Sequence, residues 1–349
     1  MSDRERQDGD ARRPPQPRAR VTLRDVADRA GVHVSTVSRV LSRPSGDALT
    51  ATARRIRSIA DDLGYRPDPY AASLRTHRTR SLGVLVPALT DLVLATVYDE
   101  IEQSANRAGF HTFVANTRDD LSEQRRRVDL LLDRRVDGLV LGDARLDAGF
   151  VDELAERRVP FVLVSRRHGA HASVTCDDVL GGRLAAEHLL GLGHRRLAVV
   201  AGEPYASTGV DRTQGFLAVC REQGVPVPAD RVVPSRFDVA GGQTGMERLL
   251  AGAQPPTAVF VVNDFTAIGA MGALRDAGLR PGRDVAVVGF NDVTLAAALP
   301  IPLTSVRSPL RAMGAIAVDT LLARLAGQPV QSVRLPPELV VRASSDPSA

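Results

Sequence analysis

The 349-residue sequence predicts an all-α head carrying a helix-turn-helix, followed by an α/β core of two similar lobes. Three observations lead there. Residues 21–64 hold three short amphipathic stretches punctuated by Gly31 and Gly64; from Ser81 onward short apolar runs alternate with helical stretches; and that alternation comes in two series. Apolar strands alternating with helices mean parallel sheets covered on both faces. Two series therefore mean two α/β lobes, with ligands expected at the carboxyl ends of their strands.

Taken in order, residues 1–20 have almost no apolar content and three prolines, and read as a disordered basic tail. The head spans 21–66. Thr22 followed by Asp25 gives a capping-box start, with Leu23, Val26, Ala27 and Ala30 on one face before Gly31 breaks the helix. A second helix, Val34–Leu41, places Val37, Val40 and Leu41 inward and Ser35, Ser38 and Arg39 outward. Thr50 caps a third, whose apolar set is Ala53, Ile56, Ile59, Ala60 and Leu63, and Gly64 ends it. Residues 67–79, with two prolines, form a linker or hinge. The core occupies 80–345. Its first series is LGVLVPA, a helix near 95–108, FHTFVAN, 121–135, GLVLG, 147–158 and PFVLVS. The second is RLAVVAG, 209–223, 241–251, TAVFVVN, 265–277, DVAVVGF and a helix near 309–326.

Charge is unevenly spread. The chain contains no lysine and carries a net +4, yet residues 1–80 hold 17 arginines against 10 acidic residues, a surplus of +7, and the remainder is slightly acidic. A basic front end on an acidic body suits contact with a polyanion. No apolar run approaches bilayer length, and the first twenty residues are rich in Arg, Asp and Pro, so neither an export signal nor a membrane span is expected and the chain is expected to be cytoplasmic. Cys176 and Cys220 form no CxxC pair and are expected to be ordinary buried thiols. His168, His171, His188 and His194 lack the spacing of a metal site and are expected to be caps or surface residues. There is no nucleophile elbow, no phosphate-binding loop and no dinucleotide fingerprint, so no catalytic set, no cofactor and no metal are expected.

In a helix-turn-helix the second helix enters the DNA major groove and its outward side chains reach base edges. Here these are Val34, Ser35 and Arg39, with Thr36 and Ser38 suited to phosphate oxygens; Arg39 matches a guanine edge and Val34 a thymine methyl. The alternative is a small helical hairpin whose polar face meets only water. The run from Val21 through TLRDVADRAGV, VSTVSRVL, LGYRP and AASLR to LGVLVP resembles the amino-terminal region of the lactose-repressor (LacI/GalR) family. The resemblance implies base reading by Val34, Ser35 and Arg39 and phosphate contacts by Thr22, Thr36 and Ser38. It also implies a minor-groove wedge at Leu74, which would unstack one base step and bend the duplex. His33 departs from the pattern, standing where the family has Ser or Thr as the helix cap, and His is a weaker cap.

The rest of the chain, to about Ser344, is similar to the same family and to the periplasmic-binding-protein-like core it shares with sugar receptors. The matching segments include VLGGRLAAEHLLGLGHRRLAVVAG, RTQGF, PTAVFVVNDFTAIGAM, DVAVVGFND and LPPELVVRAS. By position this implies an effector cleft lined by Ser165, Arg166, Arg212, Phe237, Asn263 and Asn291, fitted to a sugar or sugar derivative. Arg212 offers a planar fork of donors and Phe237 a stacking face, unless Phe237 is merely core. Asp264 is expected to cap the helix after Asn263. Asn291 and Ser165 stand where the family has Asp; with Arg166, Arg167 and Arg212 retained, a ligand bearing phosphate or carboxylate is one expectation.

The expected protein is a homodimer reading a pseudo-palindromic double-stranded operator, with a hinge over 69–76 that orders on DNA and no coiled-coil tail for tetramers. Two rivals remain open: a solute receptor without DNA function, and an α/β enzyme using the cleft.

Overall fold

The computed structural model describes residues 21–41, 50–66 and 78–346, and the chain divides into two units, Met1–Thr79 and Arg80–Ala349. The expected tail, Leu74 and most of the expected hinge lie outside the described residues.

In the first unit, α1 (Leu23–Ala30) opens on a complete capping box. The Thr22 N–H and hydroxyl donate to the Asp25 carboxylate at 2.7 and 2.8 Å, and the Asp25 N–H returns to Thr22 Oγ1 at 3.4 Å. Gly31, at φ +62°, takes the left-handed turn that ends α1 and redirects the chain into α2 (Val34–Leu41). Thr50 caps α3 (Ala51–Asp62), accepting from the Ala53 N–H at 3.3 Å. The three helices close on Val26, Ala27, Ala30, Val37, Ile56 and Ala60. From α3, the Arg55 guanidinium donates to the Ala30 carbonyl and Arg57 to the Val40 carbonyl, setting a cation on the negative ends of α1 and α2.

The second unit holds two six-stranded sheets. The first comprises β1 (Ser81–Val86), β2 (His111–Asn116), β3 (Gly138–Leu141), β4 (Phe161–Val164), β5 (Ser173–Cys176) and β11 (Val333–Leu335), in the order β11-β5-β4-β3-β1-β2 and parallel throughout. With it run α4 (Leu92–Arg107), α5 (Leu121–Asp133) and α6 (Phe150–Glu156). After α7 (Asp178–Gly191), the second sheet is built from β6 (Leu197–Ala201), β7 (Val232–Pro234), β8 (Ala258–Val261), β9 (Ala286–Asn291), β10 (Thr304–Arg307) and β12 (Glu338–Val340). Its order is β12-β10-β9-β8-β6-β7, parallel apart from the antiparallel β10–β12 pair. The intervening helices are α8 (Ser207–Glu222), α9 (Val239–Leu250), α10 (Asp264–Asp276) and the short α11 (Thr294–Ala298), and α12 spans Leu310–Leu325.

The chain crosses between the lobes after β5, after β10, and between β11 and β12. One expectation is corrected here. The helix near 309–326 closes the second series in sequence, but α12 packs on β3, β4, β5 and α4 of the first lobe. The reason is steric: Gly314 lets α12 sit against α4, where a Cβ would come within 2.6 Å of the Val97 carbonyl.

Candidate functional site

On α2 the side chains sort by depth. Val37 is fully buried and fixes the roll of the helix, while Ser35 and Arg39, four residues apart on one face, are exposed. Val34, Thr36 and Ser38 are half-buried, and Val34 packs against the head's core. Arg39 makes no ion pair with a described residue. The Thr22 hydroxyl gives its proton to Asp25, so a phosphate contact by that hydroxyl must compete with the capping box. His33 does perform the cap: its Nδ1 accepts the Ser35 N–H at 3.3 Å and lies 2.8 Å from Ser35 Oγ, while its carbonyl accepts from Thr36 and Val37.

In the core, strands of both sheets run out at one cleft of about 580 Å³, a volume suited to a small molecule. Ser165, Arg166, Arg212, Phe237, Asn263 and Asn291 all line it. Arg212 is the most constrained. Its Nε donates to Asp178 at 2.7 Å, Nη1 to the Val262 carbonyl at 2.8 Å and Nη2 to Asn291 Oδ1 at 3.4 Å, and the guanidinium lies 3.8 Å over the Phe290 ring. Burial pushes the Asp178 carboxyl up, to about 6, against the opposing pull of Arg212.

Two close helix crossings put Arg212 in place. A Cβ on Gly182 of α7 would meet the Arg212 carbonyl at 2.0 Å, and one on Gly215 of α8 the Val179 carbonyl at 2.1 Å. Only glycine lets the two backbones approach so closely.

The amides are partly committed. Asn263 Oδ1 caps α10 by accepting the Thr266 N–H at 2.7 Å, and its Nδ2 donates to the Phe237 carbonyl at 3.3 Å. Asn291, at φ +102°, accepts on Oδ1 from Arg212 and from the Ser308 hydroxyl at 3.1 Å, and its Nδ2 donates to no described residue. Ser165, at φ +64°, buries a hydroxyl that has no hydrogen-bond partner among the described residues. The Phe237 ring packs onto the backbone of Gly202, where a Cβ would come within 2.4 Å of it.

Asp264 does not cap its helix, because Asn263 does. It reaches the next loop instead, accepting the Ser305 hydroxyl at 2.6 Å and the Val293 N–H at 2.8 Å. Those bonds pin the left-handed turn at Asn291 and Asp292, and Arg307 and Arg342 hold Asp292 from outside at 2.8 and 2.6 Å. Burial pushes the Asp264 carboxyl up to about 7.

Each of the three arginines expected to attract an anion has a carboxylate of its own. Arg166 grips Asp119 through both nitrogens at 2.6 and 2.9 Å, Arg167 grips Asp211 at 2.8 and 2.6 Å, and Arg212 holds Asp178. The cleft also receives Asp91, whose carboxyl burial pushes up, and Glu203. The expectation of a phosphate- or carboxylate-bearing ligand therefore loses its electrostatic basis.

Sequence reasoning missed Asp119, Tyr205, Asp178 and Ser308. Asp119 was within reach, since it lies in the loop after β2, at a strand's carboxyl end like the other cleft loops. Tyr205 ties the lobes: Arg145 stacks 3.6 Å over its ring and the Leu146 N–H donates to its carbonyl at 2.8 Å. His168 and His171 have a shared partner that local spacing hid, Asp152, at 3.0 and 2.7 Å, and His168 Nδ1 lies 2.7 Å from the Arg145 carbonyl. Among the described residues no group of three or more His, Cys, Asp or Glu is arranged to hold a metal ion. Cys176 lines the cleft, and burial pushes its thiol up to about 12, so it stays protonated.

Residues 22–68 match bacterial regulatory proteins of the lacI family, and residues 186–345 match the periplasmic binding protein-like domain. The chain is 31% identical over 329 residues to the HTH-type transcriptional repressor PurR of Edwardsiella ictaluri, covering 93% of this chain and 96% of that one. The lac repressor dimer bound to operator and the anti-inducer ONPF superposes with a TM-score of 0.85 at 28% identity, covering 94% of this chain and all of that one. The regulator CelR in complex with cellobiose does so with a TM-score of 0.72 at 31% identity, over 93% of this chain and all of that one.

Proposed function

The chain belongs to the LacI family of bacterial regulatory proteins, and from that premise we propose a homodimeric, cytoplasmic repressor that reads a pseudo-palindromic operator under the control of a neutral sugar. One observation carries the DNA-binding half: Ser35 and Arg39 stand outward on a helix whose opposite side is locked by Val37. In this reading Val34, Ser35 and Arg39 meet base edges, Thr36 and Ser38 meet phosphates with Thr22 at the start of α1, and Leu74 wedges into the minor groove. The dimeric, operator-bound state named for the lac repressor supports a two-fold arrangement with half-sites set by the protein's symmetry.

The effector half rests on the charge balance. With Arg166, Arg167 and Arg212 paired, the cleft offers Asn291 Nδ2 and the Phe237 ring, with the unpartnered Ser165 hydroxyl just beneath its wall, which suit the hydroxyls and the apolar face of an uncharged sugar. The cellobiose bound by CelR supports the same ligand class. A sugar bridging both lobes changes their angle, and the coupling to DNA takes the usual size of about 1–3 kcal/mol.

Two measurements test the reading. A mobility shift on fragments of the region upstream of the chain's own gene should show one preferred fragment; equal retardation of all of them contradicts the regulator. Calorimetry with matched neutral and phosphorylated sugars should show tighter binding of a neutral form, and tighter binding of the phosphorylated form contradicts the effector class.

A further inference from the structure

The parallel sheet of the first lobe has two ends. Its carboxyl end faces the cleft. At its amino end lie the turns before β3 and β4, the start of β1, and the ends of α4, α5 and α6. Six arginines gather there: Arg80, Arg107, Arg134, Arg135, Arg157 and Arg158, all exposed. The acidic residues in the same turns are Asp133, Asp137 and Glu156, and Glu100 and Asp129 reach this edge from α4 and α5. Arg107 pairs with Glu100 and Arg157 with Asp129 at 3.4 Å, yet both arginines stay more than half exposed, while Arg80, Arg134 and Arg158 make no ion pair with a described residue.

The backbone gives a second, independent sign. Arg80, Arg135 and Arg158 all sit at left-handed φ, +51°, +57° and +55°. Arg135 and Arg158 occupy the position just past a helix where glycine is the unstrained choice. The chain uses glycine elsewhere for that job: Gly109 after α4 and Gly327 after α12 on this same lobe, and Gly193, Gly224 and Gly278 on the other. Arginine therefore stands at two strained positions that glycine fills elsewhere in the core, and each raises the positive charge of this one edge. Helix-end electrostatics favours a cation there but does not ask for it at the strained position itself.

Arg80 is also where the chain passes from the linker into β1, so this edge is the part of the core covalently nearest the head. We infer that the amino edge of the first lobe is a second, sequence-independent contact for the phosphate backbone of DNA flanking the operator. The inference rests on the regulator reading above and adds a surface outside the helix-turn-helix and the hinge.

The test uses the full-length chain and the duplex it selects from its own upstream region, in two lengths: the selected site alone, and the site with about fifteen further base pairs on each side, longer than one turn of B-DNA. The double variant Arg135→Gly, Arg158→Gly relieves both strained positions, which offsets the Arg135 interaction and the helix-end charges it removes, so it should melt close to the wild type; thermal melts run beside the titrations separate loss of folding from loss of contact. On the long duplex its plot of log affinity against log salt should be shallower by about 0.9 for each phosphate contact removed, and on the short duplex it should match the wild type. Arg134→Gln, on the same edge, should move the slope in the same direction.

Unchanged slopes on both duplexes overturn the inference, as does an equal loss on both, which would place the effect in the head. Binding of an acidic protein to this edge with no change in the DNA slopes overturns it too. If the wild type selects no duplex at all, the regulator reading fails and takes this surface with it; selective binding with unchanged slopes removes the surface alone.

Discussion

Replacing Arg39 by Ala removes the only charged side chain of α2. It should cost about 1–3 kcal/mol of discrimination between the selected site and a copy with one altered base pair, roughly fivefold to 150-fold. Competition binding reads that ratio, and an unchanged ratio would mean that Arg39 meets only phosphate or water. At the cleft, Asp264 accepts from the Val293 N–H and the Ser305 hydroxyl, and an amide supplies only one oxygen. Above about pH 7, where the carboxyl is ionised and accepts on both oxygens, Asp264→Asn should therefore destabilise the core by about 1–3 kcal/mol and weaken effector binding through the Asn291 turn. The same group sets a pH dependence. Its carboxyl is raised from 3.8 to about 7, so between those values the folded chain holds a proton that the unfolded chain has released. Its contribution to stability is full below about pH 4 and is lost as pH rises toward 7. Urea midpoints across that range should show the decline in the wild type and a smaller one in Asp264→Asn; equal slopes would contradict it.

Much of the element pattern is legible in the sequence because its apolar runs are strong. LGVLVPA, TAVFVVN and DVAVVGF each contain a buried strand, and Gly31 and Gly64 sit at the left-handed turns that end α1 and α3. What escaped were β5, β7, β10, β11 and β12, runs of three or four residues such as SVTC and TSVR. β5 and β10 are buried by neighbouring strands and not by their own composition, and β7 buries only Val233. The lobe that α12 covers was equally hidden, since alternation along the chain does not encode a crossing; the clue lay in Gly314. The cleft residues were legible by resemblance, but their partners were not. Asp119 is 47 residues from Arg166 and Asp178 is 34 from Arg212, separations at which local patterning says nothing. Adding one methyl to Gly182 should push α7 off α8, displace Arg212 and lower effector affinity at least tenfold while costing about 1–3 kcal/mol of stability, measured by calorimetry and thermal melting. Wild-type affinity in Gly182→Ala would show that Arg212 does not depend on that crossing.

Across the whole molecule, two lobe-to-lobe ties flank the cleft, Arg145 on Tyr205 and Arg167 on Asp211, so a change in the angle between the lobes has contacts to gain or lose. An effector changes operator affinity only by its preference between lobe arrangements, and the operator must change effector affinity by the same factor. Tyr205→Ala removes one tie and should alter that factor while leaving operator affinity without effector within about twofold to fivefold, less than 1 kcal/mol of the coupling range. All of this presupposes that α2 reads DNA. The most direct check is a paired titration of the wild type and Arg39→Ala against the selected duplex and a scrambled duplex of equal length, at moderate salt. The wild type should hold the selected duplex at least a thousandfold more tightly than the scrambled one, and the variant should lose most of that ratio with little change on the scrambled duplex. A wild type that binds both duplexes equally would contradict the assignment.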